Sequence, residues 1–465
     1  MVLQQTPKKA TIWGFASHVG ETVTVQISGK GSVTTTTRHG DNGAVVWYAQ
    51  LPPVSAGGPY TITATSREGT LALYDVLLGD MWVCSGQSNM QFTMSMDFNA
   101  TAEINDADHY PHIRLMTVLH HTSLKPVTDF NGWFQSWSVA SRYSVGGTDW
   151  VHFSALCCLY GKHLYKTLKY PIVLIATADG GTIDEAWSSP DALSKCVSKN
   201  QIPKPTYNTN GDVDHNTYSS LWNSMVHPLL HTTIYVVIWY QGESNQQNGL
   251  DRYSCTFPAL IDDWRKKFSE ATNGQTSNMF PFGFVQWHQT SDYGYAPNDR
   301  MKNTFMAVAM DLPDYNSPRG SIHPRNKADI AERLYTEAMI VAYKRTEMLD
   351  HRGPFPTGFT EVVDKIDCFI FSFVQVCCVP RRDISDTRKF CPMTYPSNLW
   401  KAVPITASDS TSVTINYHNA CTSSNPYLGG IRYEWRESPC DMKKCAVYNK
   451  LSGSPAPAFI HFVTL

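Results

Sequence analysis

The chain has no apolar run long enough to cross a bilayer as a helix, which takes about 20 residues. Its longest, residues 368–379, has the length of one or two strands and is broken by Ser372 and Gln375. A secretory leader is also missing from view: Met1-Val2-Leu3-Gln4 runs directly into strand-like sequence, so the expected start lies downstream of any such segment. Charge of either sign is scarcely in excess, with 38 Lys and Arg against 40 Asp and Glu leaving −2. With no basic stripe carrying interleaved aromatics, nucleic acid is excluded as an expected partner. There is no Cys-x-x-Cys pair and no histidine at zinc spacing, so neither a metal nor another cofactor is expected. The familiar nucleophile pattern Gly-x-Ser-x-Gly is absent as well.

What is present fits a folded, multidomain chain. Apolar residues make up 42% and charged residues 17%, an ordinary globular balance. At 465 residues the chain exceeds one compact core, so two or three domains are expected. Many of the 13 tryptophans are expected in the core, and a surplus also suits the binding of sugars or flat rings. Six of the 12 cysteines, Cys377, Cys378, Cys391, Cys421, Cys440 and Cys445, cluster near the end. Without metal spacing they read as disulfides, which implies a secreted or lysosomal route. Asn99-Ala100-Thr101 is a glycosylation sequon consistent with that route.

Residues 1–73 alternate apolar and polar positions between turn residues and read as a small β-sandwich. From 74 to 345 the pattern changes to apolar runs followed by helical stretches, the mark of an α/β domain. Four runs matter: residues 74–83, 171–178, 234–240 and 305–310. Runs this apolar fit strands of a parallel sheet covered on both faces. Polar and glycine residues gather just past the end of each, where open α/β sheets place their sites. Residues 253–268 and 326–343 carry helical core stripes, Phe257, Leu260, Ile261 and Trp264 on the first and Ile330, Leu334, Ala338 and Val341 on the second. Residues 346–465 return to β patterning, with strands expected at 369–379, 413–417 and 431–435, and read as a β domain stapled by the cysteine cluster.

The first run leads into Val83-Cys84-Ser85-Gly86-Gln87-Ser88-Asn89-Met90. A serine on a strand-to-helix turn exposes its hydroxyl, with main-chain N–H groups pointing outward behind it. Acyl transfer by Ser88 needs a base and donors for the developing oxyanion. His323, on the loop after the last run, is the best base; His227 is the runner-up, in a helical setting that favours a structural role. Gly180-Gly181 can offer a bare N–H, and Gln241 a side-chain donor, beside the Ser88 N–H. Glu243, ionised, cannot donate and takes a structural role. The group that orients the histidine is open: Asp311 and Asp314 are near in sequence, and otherwise a main-chain carbonyl holds the imidazole.

Taken together, Gly86-Gln87-Ser88-Asn89-Met90, Gly180-Gly181-Thr182 with Glu185-Ala186-Trp187, Trp239 to Asn245, and Ile322-His323-Pro324 with Lys327 resemble the four blocks of the SGNH-type hydrolases. More narrowly the chain resembles the sialate O-acetylesterases, almost end to end, including Ile12-Trp13-Gly14 and Cys440 with Cys445. The resemblance implies a flavodoxin-type parallel sheet flanked by helices, with β-sandwich-like domains before and after it. It implies Ser88 as nucleophile, His323 as base and O-acetylated sialic acid or sialoglycan as substrate, in a lysosomal or secreted protein that needs no cofactor and does not insert into membranes. The alternatives are an acetylesterase on other carbohydrates and a catalytically impaired sialoglycan-binding relative. The second is motivated by Asp179, which stands where the family carries tryptophan, as Thr182-Ile183-Asp184-Glu185 stands where it carries Thr-Pro-Ile-Glu. The passage 285–289 is also shorter than in relatives.

Overall fold

The computed structural model describes residues 1–40, 43–285, 287–290, 294–356, 359–362, 365–368, 374–379, 391, 399–409, 412–417, 419–421, 427–434, 439–445 and 447–462. Gln286, Trp435 and residues 369–373 of the expected strand at 369–379 lie outside the described residues. The chain forms two compact units: Met1–Ser291 with Asp299–Ala307 and Arg325–Lys344, and Asp292–Asn298 with Val308–Pro324 and Arg345–Leu465.

The first unit is built on one long strand, Gly69–Gly86. Its first half is mostly exposed and pairs antiparallel with Gly57–Ser66, which continues to Thr22–Ile27 and Gly31–Thr36. Alternation puts Val23, Val25 and Ile27 inward, where they meet Trp47 and Ala49 of the small sheet formed by Thr11–Phe15, Arg38–His39 and Val45–Gln50. Its second half is buried at every position from Val76 onward and becomes the middle of an α/β sheet. The order across that sheet is Trp133–Val139, Ile113–Val118, Ile172–Ala178, Gly69–Gly86, Val236–Tyr240, Phe282–Phe284, Thr304–Met306. All neighbours are parallel except the antiparallel edge pair Trp133–Val139 with Ile113–Val118.

The four apolar runs are therefore strands of one sheet, and three further strands join them. The last run is shorter than its composition predicts, ending at Met306. Helix Leu250–Ala271 buries Phe257, Leu260, Ile261 and Trp264, and Lys327–Val341 buries Ile330, Leu334, Ala338 and Val341. The tryptophans go chiefly inside: Trp82, Trp187, Trp239 and Trp264 are fully buried, with Trp239 edge-on to both Trp187 and Trp264 at 5.8 and 5.9 Å. Much of the surplus is thus core rather than sugar platform.

The second unit carries two four-stranded sheets. One runs Phe359–Val362, Lys365–Cys368, Val413–Asn416, Ile405–Ser408; the other Trp400–Val403, Val374–Val379, Tyr427–Tyr433, Phe459–Phe462. Val374, Val376, Ile415, Ile431, Tyr433 and Phe459 share its core. The cysteine cluster closes as Cys377–Cys391, Cys378–Cys421 and Cys440–Cys445. Two more disulfides, Cys84–Cys157 and Cys196–Cys255, lie in the first unit.

Candidate active site

Three neighbouring strands of the first unit end level with one another: Gly86 is in register with Ala178 on one side and Tyr240 on the other. The chain can turn there because residue 86 is glycine. Its φ is +142°, and a Cβ would lie 2.2 Å from the Tyr240 carbonyl oxygen. The turn starts the short helix Ser88–Gln91, and Ser88 is 9% exposed, at the edge of burial. Past the adjacent strand, Gly180 packs on the serine: a Cβ at 180 would lie 3.2 Å from the Ser88 Cβ. Gly180 donates its N–H to Gln91 Oε1 at 2.9 Å. Gly181, at φ +77°, turns the chain next to it, and among the described residues its N–H donates no hydrogen bond.

Buried polar side chains brace this rim. Gln87 Oε1 accepts the N–H groups of Gly242 and Ser244 at 3.4 and 3.3 Å. Asn89 donates to Glu243 Oε1 at 2.6 Å and accepts from the buried Lys327 ammonium at 2.7 Å. That ammonium stacks over Phe92 at 4.5 Å and Tyr240 at 5.5 Å, so cation–π contacts replace part of its lost hydration. Gln241, expected as an oxyanion donor, is held by several partners. Its amide nitrogen donates to the Thr182 carbonyl at 3.0 Å and Asn245 Oδ1 at 2.6 Å, which uses both hydrogens, and its oxygen accepts from Tyr253 at 2.8 Å. Fully buried, it ties the second and third strand ends together.

Asp179 has partners that the sequence does not reveal. His215 Nδ1 lies 3.2 Å from one carboxylate oxygen and His120 Nδ1 3.6 Å from the other. The hydrogen bond to Asp179 raises the His215 pKa above its ordinary 6.5, against the opposing effect of burial. The carboxylate is therefore flanked by two imidazoles. His227, the alternative base, faces the Val127 carbonyl at 2.9 Å and packs edge-on to Trp222, as a structural histidine does. Asn99 is exposed.

His323, Asp311 and Asp314 belong to the second unit. His323 Nδ1 lies 2.7 Å from the Arg319 carbonyl oxygen. A carbonyl only accepts, so Nδ1 carries a proton, and in the neutral ring the basic nitrogen is Nε2. Asp311 is fully buried and accepts from the Tyr448 hydroxyl at 3.1 Å. Asp314 is buried, and its main-chain carbonyl accepts from the Ser317 N–H at 3.2 Å.

A family described as carbohydrate esterase, sialic acid-specific acetylesterase, matches residues 78–314, and the sialate O-acetylesterase C-terminal domain matches residues 357–463. A sialate O-acetylesterase of Pongo abelii is 40% identical, covering 100% of this chain and 91% of that protein; the Homo sapiens protein is 39% identical with the same coverage. The chain belongs to the sialate O-acetylesterase family. In this member of the family, a crystal structure of a carbohydrate acetylesterase from Xanthomonas citri supports the fold: TM-score 0.75, with 23% identity, over 99% of this chain and 96% of that one. Of the family's blocks, the first three and Lys327 meet around Ser88. The carbonyl at Arg319 could not be found by sequence, because any residue supplies one.

Proposed function

We propose that the protein is a serine esterase that removes O-acetyl groups from sialic acids on glycans. Ser88 attacks the acetyl carbonyl and His323 Nε2 takes its proton. The N–H groups of Ser88 and Gly181 stabilise the oxyanion. Collapse expels the sugar hydroxyl, which takes the proton back from His323 and leaves acetyl-Ser88. Water, deprotonated by His323, then releases acetate. The Arg319 carbonyl orients the imidazole, and Asp311 or Asp314 adds negative charge to its surroundings.

The observation that carries this reading is the level ending of three strands, with Gly180 packed on Ser88 and Gly181 next along the chain, in a chain of this family. The strand order agrees. With the Ile113–Val118 strand set aside, the parallel strands run 2-1-3-4-5 in chain order, the flavodoxin-type order that the SGNH resemblance implies, and Ser88 follows the strand at its switch point. Five disulfides and an exposed sequon at Asn99 support an oxidising, secretory or lysosomal setting. Among the described residues no helix is long and apolar enough to cross a membrane.

Acetate release from O-acetylated sialic acid tests the reading. Ser88→Ala should lower kcat by about 10³-fold or more while leaving the thermal midpoint unchanged. Equal rates in the two proteins would end it.

A further inference from the structure

A cavity of the first unit lies beside the Ser88 rim rather than on it. It holds about 540 Å³, within the usual range for a small-molecule site, and its lining includes Glu185, Asn216, Tyr218, Asn248, Gly249 and Arg252. Asn216 joins the two places. Its Nδ2 donates to the Gly181 carbonyl at 3.1 Å and its Oδ1 accepts from the Ile183 N–H at 2.9 Å, so one side chain both shapes the oxyanion loop and walls the cavity.

Among the described residues Arg252 is the one cation lining it. Its Nε is buried without a hydrogen-bond partner, and among the described residues Arg252 forms no ion pair. A guanidinium donor shut away from water costs free energy unless something accepts from it, and a carboxylate is its best-matched acceptor. Gly249 keeps the space open. At φ +89° it is a position for glycine, and a Cβ there would come within 3.0 Å of Glu185 Oε1 and 3.2 Å of Arg252 Nη2. Glu185 is itself held on its other oxygen by Asn245 at 2.9 Å. Burial, and then the neighbouring Glu185 carboxylate, push the Asp184 pKa up. The cavity thus offers a cation, an anionic acceptor, two amides and an aromatic ring. That set matches a pyranose bearing one carboxylate, several hydroxyls and an acylamino N–H.

We propose that this cavity is the sugar subsite of the esterase, with Arg252 pairing with the carboxylate of the sialic acid whose ester lies at Ser88. This rests on the function proposed above and adds the residue that selects an acidic sugar. Arg252 does not touch the ester, so it acts on binding.

Steady-state rates on three substrates test it: O-acetylated sialic acid, its carboxyl methyl ester and 4-nitrophenyl acetate. For the wild type, methylation should raise KM about 10-fold or more and leave kcat within about twofold. Arg252→Gln should raise KM for the acid by a similar factor, change neither the methyl ester nor the aryl acetate, and be partly rescued by Arg252→Lys. Equal wild-type KM values for acid and methyl ester would overturn the proposal, as would an Arg252→Gln loss shared by all three substrates. The methyl-ester comparison needs no variant to fold. If the wild type hydrolyses none of the three, the esterase reading fails by itself. Calorimetric titration of sialic acid against its methyl ester then decides on Arg252: tighter binding of the acid supports the pairing, and equal binding refutes it.

Discussion

Asp179 shows how one residue's neighbours change its meaning. By itself, a carboxylate two positions before Gly181 opposes a negative transition state. Between His120 and His215 it becomes one half of a pH-dependent pair. The sign follows from His215, whose pKa is raised in the folded protein by the Asp179 hydrogen bond. A raised pKa contributes stability that is complete below the unfolded value of 6.5 and is lost as pH rises through the folded value. Asp179→Asn should therefore cost more stability near pH 5 than near pH 8, as read by urea midpoints in both buffers. An equal cost at both would contradict the pairing. Nothing in the sequence announced these partners, because the two histidines lie 59 and 36 positions from Asp179 along the chain. Ser88 and the double glycine were legible, since their chemistry is written in residue type. For Gln241, residue type says what an amide can donate but not which partners its hydrogens meet in the fold.

At the level of elements, strand ends set the site. Gly86 is fixed by two constraints at once, a positive φ and the Tyr240 backbone against its α-carbon. Gly86→Ala should destabilise the protein by about 2–4 kcal/mol, and activity should fall even where the protein remains folded, because the turn that presents Ser88 must shift. Denaturant unfolding and acetate release on the same preparation check both halves. The runs at 171–178 and 234–240 were readable because both-face burial leaves an uninterrupted apolar stretch. Trp133–Val139 was not, since an antiparallel edge strand with exposed positions has no such run, and Phe282–Phe284 is too short to show any period.

Across the whole molecule, Asp80 is the main polar tie of the first unit. It accepts from Gln4 at 3.0 Å, Gln5 at 3.1 Å, Tyr170 at 2.6 Å and Tyr343 at 2.8 Å. These donors come from the start of the chain, the approach to the Ile172–Ala178 strand and the segment just past the Lys327–Val341 helix, so one buried carboxylate links Gln4 to Tyr343. Asp80→Ala leaves those donors without an acceptor and should cost about 2–4 kcal/mol, measured by the denaturant midpoint. An unchanged midpoint would show the tie to be dispensable. Cys158 gives an independent check on packing. Burial pushes its thiol up to about 12, so iodoacetamide should modify it only after unfolding, as mapped by peptide mass.

In the proposed reaction Ser88 carries the acetyl group between sugar and water. Wild-type enzyme mixed with O-acetylated sialic acid, quenched in acid within one turnover and digested for mass spectrometry, measures this most directly. One added acetyl group is expected on the peptide that contains Ser88, gone once substrate is exhausted and missing in Ser88→Ala. An acetyl group on another residue, or undiminished turnover by Ser88→Ala with no acetylated peptide, would contradict it.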